Sequence, residues 1–345
     1  MERIYMLTDY KGFFGSKHNA IPYRSGMDKE LLKKYLNGKG YDVQYLPFSD
    51  VDFRNMNFKN QFVLYTSSED KGFYYKDYIE DIILGLSLQN AILIPEYKFL
   101  RANNNKVFME ILRDQININS IKNIKSHHFG TIEELKQKLG ELNPQSVIKP
   151  ASGAMSTNVN LSKNRKDVIK FGKKISRTKD LLYELLDFGR SIKHKQYIRE
   201  SRHRKKFIIQ NFIKGLRNDW KIVIYGKKYY ILYRGVRDND FRASGSGKFE
   251  FKEEIPHGIL DFAEKIFNYF NVPNLSIDVA FNGKEFYLIE FQAIYFGTTT
   301  IDKSPFYFTK ENSKWVIHKE KSFLEKEYVE SVIDYISKNF GKDGI

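Results

Sequence analysis

Two stretches that flank an Asn-Gly turn signal hold the residues best suited to chemistry. Residues 276–281 and 285–292 read as the strands of a hairpin across Asn282-Gly283. Asp278, Glu290 and Gln292 are the polar members, set among Ile277, Val279, Phe281, Tyr287, Ile289 and Phe291. Side chains alternate faces along a strand, so Glu290 and Gln292 share one face and the odd-numbered positions form the apolar one. Loop parity decides whether Asp278 joins them. A two-residue loop sets Asp278 opposite Tyr287, on the wrong face, whereas a three-residue loop sets it opposite Leu288, beside Glu290. An odd loop is therefore expected, Asn282-Gly283-Lys284, with Gly283 left-handed. Two carboxylates and an amide oxygen on one surface make a hard oxygen donor set that suits Mg²⁺. The competing reading is a solvated polar face on an amphipathic hairpin.

A second group of residues suits phosphate. Lys149 ends an apolar strand at 146–149, and Pro150 and the small-residue run Ala151-Ser152-Gly153-Ala154-Met155-Ser156-Thr157 follow. Backbone N–H groups and hydroxyls clear of bulky side chains can cradle phosphate, and Lys149 would add a point charge. The run lacks the GxxxxGK[ST] spacing of a Walker A loop, as does Ser244-Gly245-Ser246-Gly247-Lys248, and a plain loop is the competing reading. Further on, Gln210-Asn211-Phe212-Ile213 leads from an apolar strand toward Asp219-Trp220-Lys221. Arg234, Arg237 and Arg242 then fall within nine residues. Such a cluster can clamp phosphates or carboxylates through paired N–H donors, or it can be solvated surface.

These residues need elements to hold them. Strand and helix signals alternate through the first hundred residues: a strand at 4–8, a helix at 28–37 and strands at 41–47 and 62–65. A helix at 75–89 follows, with Tyr78, Ile79, Ile82, Ile83 and Leu86 on one face, widened by Leu84 and Leu88, and then a strand at 91–95. The rhythm predicts a small parallel sheet with helices on its faces, a domain over 1–98. Asn103-Asn104-Asn105-Lys106 opens a helix to Leu112, and Thr131-Ile132-Glu133-Glu134 matches a capping box. Helices are expected at 166–175 and 180–188, a strand at 207–213, and a hairpin of 219–225 with 229–236. Amphipathic helices are expected at 259–270 and 323–340.

Composition bounds the rest. The chain has 345 residues, enough for two or three domains, and its 28 Phe, 23 Tyr and 2 Trp argue against disorder. Cysteine is absent, which removes disulfides, thiolate metal sites and cysteine nucleophiles. The seven histidines are read as surface or core groups rather than metal ligands. The first residues, Met1-Glu2-Arg3-Ile4-Tyr5, carry charge where a secretory signal would be apolar, and no run is long enough to span a bilayer. The expectation is a cytoplasmic protein without a membrane span. Its formal charge of +15 points to acidic partners such as nucleotides, nucleic acid, phosphorylated or carboxylate substrates, or an anionic membrane face. The most basic stretch, 190–206, has eight Lys or Arg against Glu200 and reads as a solvated connection.

The order of these signals is more specific than any one of them. A strand ending in Lys, a small-residue loop, a hinge strand, Asp-Trp-Lys, an Arg-rich segment and then Asp278, Glu290 and Gln292 resembles the ATP-grasp superfamily. It is most similar to the branch of the glutathione synthetases, the D-alanine–D-alanine ligases and the ligase that adds glutamate to a ribosomal protein. Phe241-Arg242-Ala243-Ser244 is similar to a Phe-Arg-Ser-Asn piece of that branch. The resemblance implies an α/β (α+β) fold in which two α+β subdomains, 99–213 and 214–345, grip ATP behind the βαβ domain. It implies that Lys106 and Lys149 contact the α- and β-phosphates and that the loop holding Ser152, Gly153, Ala154 and Ser156 closes over them. The backbone of Gln210, Asn211, Phe212 and Ile213 would meet adenine, and Asp219 the ribose. Arg234 and Arg242, with Lys221, make the catalytic set near the transferred phosphate and the acyl group. Asp278, Glu290 and Gln292 would hold Mg²⁺; Gln292 stands where Asn is usual, and Asn211 where an acid is frequent.

The implied reaction joins a small-molecule carboxylate to an amine through an acylphosphate and releases ADP and phosphate. Positioning and charge neutralisation carry such chemistry, so no covalent nucleophile is needed. An ATP-grasp kinase acting on a sugar or other hydroxyl is the alternative. Nucleic-acid binding is the reading least expected, since it needs no Asp278–Glu290 pair. Two segments should select an acidic or sugar-linked substrate: Asp9-Tyr10-Lys11-Gly12-Phe13-Phe14-Gly15 and Ala293-Ile294-Tyr295-Phe296-Gly297-Thr298-Thr299-Thr300. Core packing is the competing role for their aromatics. Should the chain self-associate, a homodimer is the commonest symmetric form.

Overall fold

Short apolar strands joined through amphipathic helices can satisfy their backbones as a parallel sheet covered on its faces. The computed structural model, which describes residues 2–118, 124–153, 158–216, 218–235 and 249–341, begins this way. β1 (Glu2–Thr8), α1 (Lys29–Gly38), β2 (Tyr41–Pro47), β3 (Phe62–Tyr65), α2 (Tyr74–Leu88), β4 (Ile92–Ile94) and α3 (Tyr97–Ala102) follow in order. The strands form a parallel sheet ordered β2-β1-β3-β4. Asp28 starts α1 by accepting from the N–H groups of Glu30 and Leu31. Alternation then sorts β1: Ile4 and Met6 join Leu32 and Leu36 of α1, while Tyr5 and Leu7 join Ile79, Ile83 and Leu86 of α2. Leu84 and Leu88 do not widen that face as expected; both are exposed. Gly85 is where α2 takes the Phe53 ring, since a Cβ there would lie 2.7 Å from the ring.

Contacts divide the chain into two units. One comprises Met1–Asn103 and Leu216–Ile345, the other Asn104–Asn117 and Asn123–Gly215. The first and last of the three expected segments therefore fall in one unit.

The second unit contains α4 (Lys106–Asp114), β5 (Ser126–Phe129), α5 (Ile132–Gln137), β6 (Ser146–Pro150), β7 (Asn160–Leu161), α6 (Arg165–Ser176), α7 (Leu181–Lys193) and β8 (Phe207–Asn211). Its antiparallel sheet is ordered β5-β8-β6-β7. The expected capping box is present: Thr131 accepts from the Glu134 N–H, and Glu134 accepts from the Thr131 N–H. The core gathers Phe129, Ile132, Leu135, Ile148, Val168 and Phe207. α7 runs past its expected end at Phe188. The basic segment after it is not simply solvated, because Arg199 pairs with Asp187, Arg202 with Glu184, and Arg204 with Glu200.

The first unit resumes with β9 (Asn218–Tyr225), β10 (Lys228–Gly235), β11 (Phe249–Glu250), α8 (Ile259–Phe270), β12 (Asn274–Phe281), β13 (Phe286–Gln292), α9 (Thr299–Lys303), β14 (Tyr307–Glu311), β15 (Lys314–His318) and α10 (Leu324–Phe340). The strands make an antiparallel sheet ordered β13-β12-β9-β10-β14-β15, with β11 beside β10. One face is apolar and packs on α8, where the Phe270 ring lies 4.4 Å from Phe291 and 5.6 Å from Phe99. On the other face Val223, Tyr225 and Tyr230 share a core with α1, α10 and the parallel sheet. No helix among the described residues is long and apolar enough to cross a membrane.

The β12–β13 hairpin corrects the expected loop. Phe281 pairs with Phe286, so the loop is the four residues from Asn282 to Glu285, closed by the Asn282 N–H bonding the Glu285 carbonyl at 3.3 Å. Gly283 is left-handed as expected, with φ of 94°. The even loop alone would put Asp278 out of step with Glu290. A bulge restores it: Val279 pairs with Leu288, Asp278 with Glu290, and Ile289 is the extra residue. Leu288 rather than Ile289 is consequently the buried residue on the apolar face.

Phe270 supports the hairpin from behind. Phe270→Ala is expected to lower the stability of this unit by about 3–5 kcal/mol, read from the urea midpoint; a loss under about 1 kcal/mol would show that the stack is dispensable.

Candidate functional site

Strand pairing in the first unit gathers six polar residues at one end of one sheet face. Asp219 pairs with Arg234, Lys221 with Asp278, Asp278 with Glu290, and Ser276 with Gln292. Directly paired residues share a face, and so do residues two apart. Asp219, Lys221, Arg234, Asp278, Glu290 and Gln292 therefore lie on the same side, opposite the face that α8 covers. The structure thus brings Asp278 and Glu290 together, through a bulge rather than an odd loop.

Arg234 organises this end. It is buried, its Nε donates to Asp219 Oδ1, and its Nη2 lies 2.7 Å from Asp278 Oδ2. One planar guanidinium spans two carboxylates from two other strands, which a lysine's point charge could not do with the same geometry. Asp219 is pushed up to about 6, by burial first and by the like charge of Asp278, against the pull of Arg234. Burial also holds the Lys221 amine below the ordinary lysine range, against the pull of Asp278 and Glu290. The Asp219 carboxylate is engaged by Arg234.

The donor chemistry fits a hard divalent cation. Asp278 and Glu290 offer carboxylate oxygens and Gln292 its amide oxygen, the donor type that Mg²⁺ prefers. Among the described residues no three His, Cys, Asp or Glu side chains could hold a metal by themselves. A cation here would complete its shell with water or phosphate oxygens, as Mg²⁺ commonly does.

In the second unit, Lys106 occupies the first turn of α4, where Asn105 caps the helix by accepting from the Phe108 N–H. The Lys106 N–H donates to the Ala151 carbonyl at 2.7 Å, and its Nζ lies 3.1 Å from the Gly153 carbonyl. The helix start is thereby fastened to the small-residue run after Lys149, which pairs with Ile208 across β6 and β8. Ser152 and Gly153 are exposed; Gly153 has φ of 126° with nothing near where a Cβ would project. Ala154, Ser156, Arg237 and Arg242 lie outside the described residues, as does Ser244-Gly245-Ser246-Gly247-Lys248.

The expected hinge residues lie at and just beyond the end of β8. Gln210 is buried, and its Nε2 donates to Glu110 Oε1 at 2.9 Å. Glu110 in turn pairs with the buried Arg113, which also donates to the Ile124 carbonyl at 2.6 Å. The Gln210 side chain therefore belongs to an internal network, and its backbone sits within the ladder between Ser126 and Val147. The Asn211 N–H bonds the Lys125 carbonyl at 2.9 Å, and Phe212 and Ile213 follow beyond the strand. Glu110 and Arg113 are participants the sequence did not reveal; a Glu and an Arg three residues apart on a helix look like an exposed pair until burial is known.

The two suspected substrate segments do meet. Phe14, Gly15, Ala293, Ile294 and Phe296 line one small cavity of the first unit. Ser16 Oγ donates to the Phe296 carbonyl at 2.6 Å, and the His18 N–H to Thr298 Oγ1 at 2.6 Å. Phe14 and Phe296 are core residues, Tyr10 is exposed, and Tyr295 adopts φ of 51°, a conformation uncommon for an aromatic residue.

No family model and no curated protein matches the chain. Solved structures do. A D-cycloserine synthetase superposes with a TM-score of 0.53 at 10% identity, over 96% of this chain and 99% of that one. A RiPP-associated ATP-grasp ligase from Chryseobacterium gregarium, solved with ADP and a leader and core peptide, gives a TM-score of 0.53 at 14% identity, over 97% of each chain. At these identities the likeness is one of fold.

Arg234 is the testable centre of the first-unit cluster. A folded-state value of about 6 for Asp219, above the ordinary 3.8, means that the folded protein holds an extra proton in that window. This group's contribution to stability therefore falls as pH rises from 3.8 to about 6 and is level above it. Arg234→Gln removes the opposing cation. It is expected to lower stability by about 3–5 kcal/mol near neutral pH, and by less near pH ~5, where a proton can replace the lost charge. Denaturation at the two pH values checks this; an equal loss at both would contradict it.

Proposed function

We propose that this chain, which has the ATP-grasp fold, is an ATP- and Mg²⁺-dependent ligase that joins a carboxylate to an amine. The observation that carries the reading is the register of β12 and β13, which sets Asp278 opposite Glu290 with Gln292 on the same face, beside a buried arginine. A solvated polar face would need neither the bulge nor the Arg234 bridge. Oxygen donors next to a guanidinium suit a metal-bound phosphate chain, whose oxygens can meet both.

Roles follow for the chain's own residues. Asp278, Glu290 and Gln292 would hold the cation, and Asp219 would keep Arg234 turned toward the phosphate being transferred. Lys106 and Lys149 would meet the α- and β-phosphates, with Ser152 and Gly153 in the loop over them. Asn211, Phe212 and Ile213 would offer backbone to adenine. Lys221 and Arg242 complete the basic set around the acyl group. Mg²⁺, when bound, would neutralise charge on the phosphates during transfer.

In the reaction proposed, a carboxylate oxygen attacks the γ-phosphate and the bond to the β-phosphate oxygen breaks, giving an acylphosphate and ADP. An amine then attacks the acyl carbon, phosphate leaves, and the amine gives up a proton. The protein's part is to align the groups and neutralise charge. The solved relatives include a D-cycloserine synthetase and a ligase complexed with peptides, so substrate size differs widely on this fold. The +15 charge supports an acidic substrate.

Hydroxylamine trapping tests the proposal. With ATP, Mg²⁺ and a panel of carboxylates, the cognate acid should give a hydroxamate together with equal amounts of ADP and free phosphate. ADP formed without free phosphate, with the phosphoryl group retained on a hydroxyl product, would identify a kinase instead.

A further inference from the structure

α7 is turned inside out. At 100° per residue, Tyr183, Glu184 and Asp187 fall on one side, and Leu181, Leu182, Leu185 and Ile192 on the other. An ordinary surface helix buries the second group. Here the polar side is the one held against the protein. Glu184 takes Arg177 at 2.6 Å and Arg202 at 3.2 Å; Asp187 takes Arg199 at 3.2 Å and the Tyr197 hydroxyl at 2.8 Å. Tyr183 donates to Glu200 at 2.8 Å. The apolar side stands in solvent: Leu181, Leu182, Leu185 and Ile192 are 74%, 71%, 69% and 72% exposed. Ile198, on the segment that follows, is 88% exposed. Single exposed leucines are ordinary, but a continuous stripe of them marks an interaction surface.

The charge around this stripe is equally uneven. Residues 163–206 hold sixteen Lys or Arg and five Asp or Glu, a balance of +11 within a chain total of +15. Glu184, Asp187 and Glu200 pair with Arg177, Arg202, Arg199 and Arg204 and cancel part of the positive charge, and the balance of +11 is what remains. Lys179, Lys193 and Lys195 are exposed at the ends of the helix and beside Ile198.

We propose that α7 and the segment after it dock this protein onto an anionic membrane surface. An apolar stripe flanked by Lys and Arg is the signature of a helix that lies in the lipid interface, with its leucines at the headgroup–acyl boundary and its cations among anionic headgroups. A helix of 13 residues is about 20 Å long and lies flat. Exposure of about seven-tenths means the leucines stand proud of their surroundings, as insertion requires. A site for a partner helix recesses its apolar anchors in a groove, and a single-stranded nucleic acid is held by aromatic platforms rather than by leucines.

Flotation of the full chain with vesicles tests this, using phosphatidylcholine alone and phosphatidylcholine mixed with phosphatidylglycerol. The protein should float with the mixed vesicles and not with the neutral ones. Leu182→Ser/Leu185→Ser should weaken that binding on the order of tenfold or more, and Lys193→Glu/Lys195→Glu on the order of tenfold. Both variants should keep the wild-type melting temperature, because the altered side chains are exposed. Failure to bind mixed vesicles would overturn the proposal. So would binding indifferent to the leucine change, which is adsorption by charge alone. A wild-type dimer split by the leucine change, or an RNA affinity lost with it, would assign the stripe to a second copy or to nucleic acid and overturn it equally.

Discussion

A guanidinium in a largely buried setting is tolerable only where carboxylates surround it, and Arg234 has two, Asp219 and Asp278. Taking charges out of water costs several kcal/mol per ion. The cost is offset here because one planar group meets both acids at once. The same geometry fixes three strands, since Asp219 comes from β9, Arg234 from β10 and Asp278 from β12. Glu290 and Gln292 then follow from the pairing of β13 with β12. The proposed cation site and the proposed phosphate-facing arginine are thus consequences of one ion-pair arrangement on one sheet face.

The bulge at Ile289 is the second constraint. A strand that slips by one residue turns every side chain to the other face. With a four-residue loop and no bulge, Glu290 would point toward α8 and Phe270, and Phe291 would leave that face. One extra residue keeps Phe291 and Leu288 inside and returns Glu290 and Gln292 to the face of Asp278. In the second unit, the links from α4 to Ala151 and Gly153 do comparable work for Lys106.

Much of this was legible in the residues alone. The strands at 41–47 and 62–65 and the helix at 259–270 have strong periodicity and clear stops, and the structure has them at those positions. The capping box at Thr131 needs only four residues and was equally plain. The order of motifs led to the ATP-grasp fold despite identities of 10% and 14% to the solved structures that share it. What stayed hidden depended on distant partners. Loop length and a bulge compensate each other, so loop parity put Asp278 and Glu290 on the correct shared face by the wrong loop, with Asp278 opposite Leu288 where the structure sets it opposite Glu290. The inward turn of Gln210 depends on Glu110, a hundred residues away. The sharing of one core by Ile4 and Val332 could not be read from either end of the chain. The inversion of α7 was invisible because periodicity gives a helix two faces without saying which one meets the protein.

The central claim is that the Asp278–Glu290 face takes a metal-bound nucleotide. Thermal unfolding of the wild type and of Glu290→Ala, with ATP in the presence and absence of Mg²⁺, tests it most directly. A ligand that binds only the folded state stabilises it by about 2.7 kcal/mol at a hundredfold excess over Kd. The account predicts a rise in Tm with ATP and Mg²⁺ together that exceeds the rise with ATP alone. It predicts that Glu290→Ala loses the Mg²⁺-dependent part while its unliganded Tm stays close to that of the wild type. No rise at saturating ATP and Mg²⁺, or a rise that Glu290→Ala leaves intact, would contradict it.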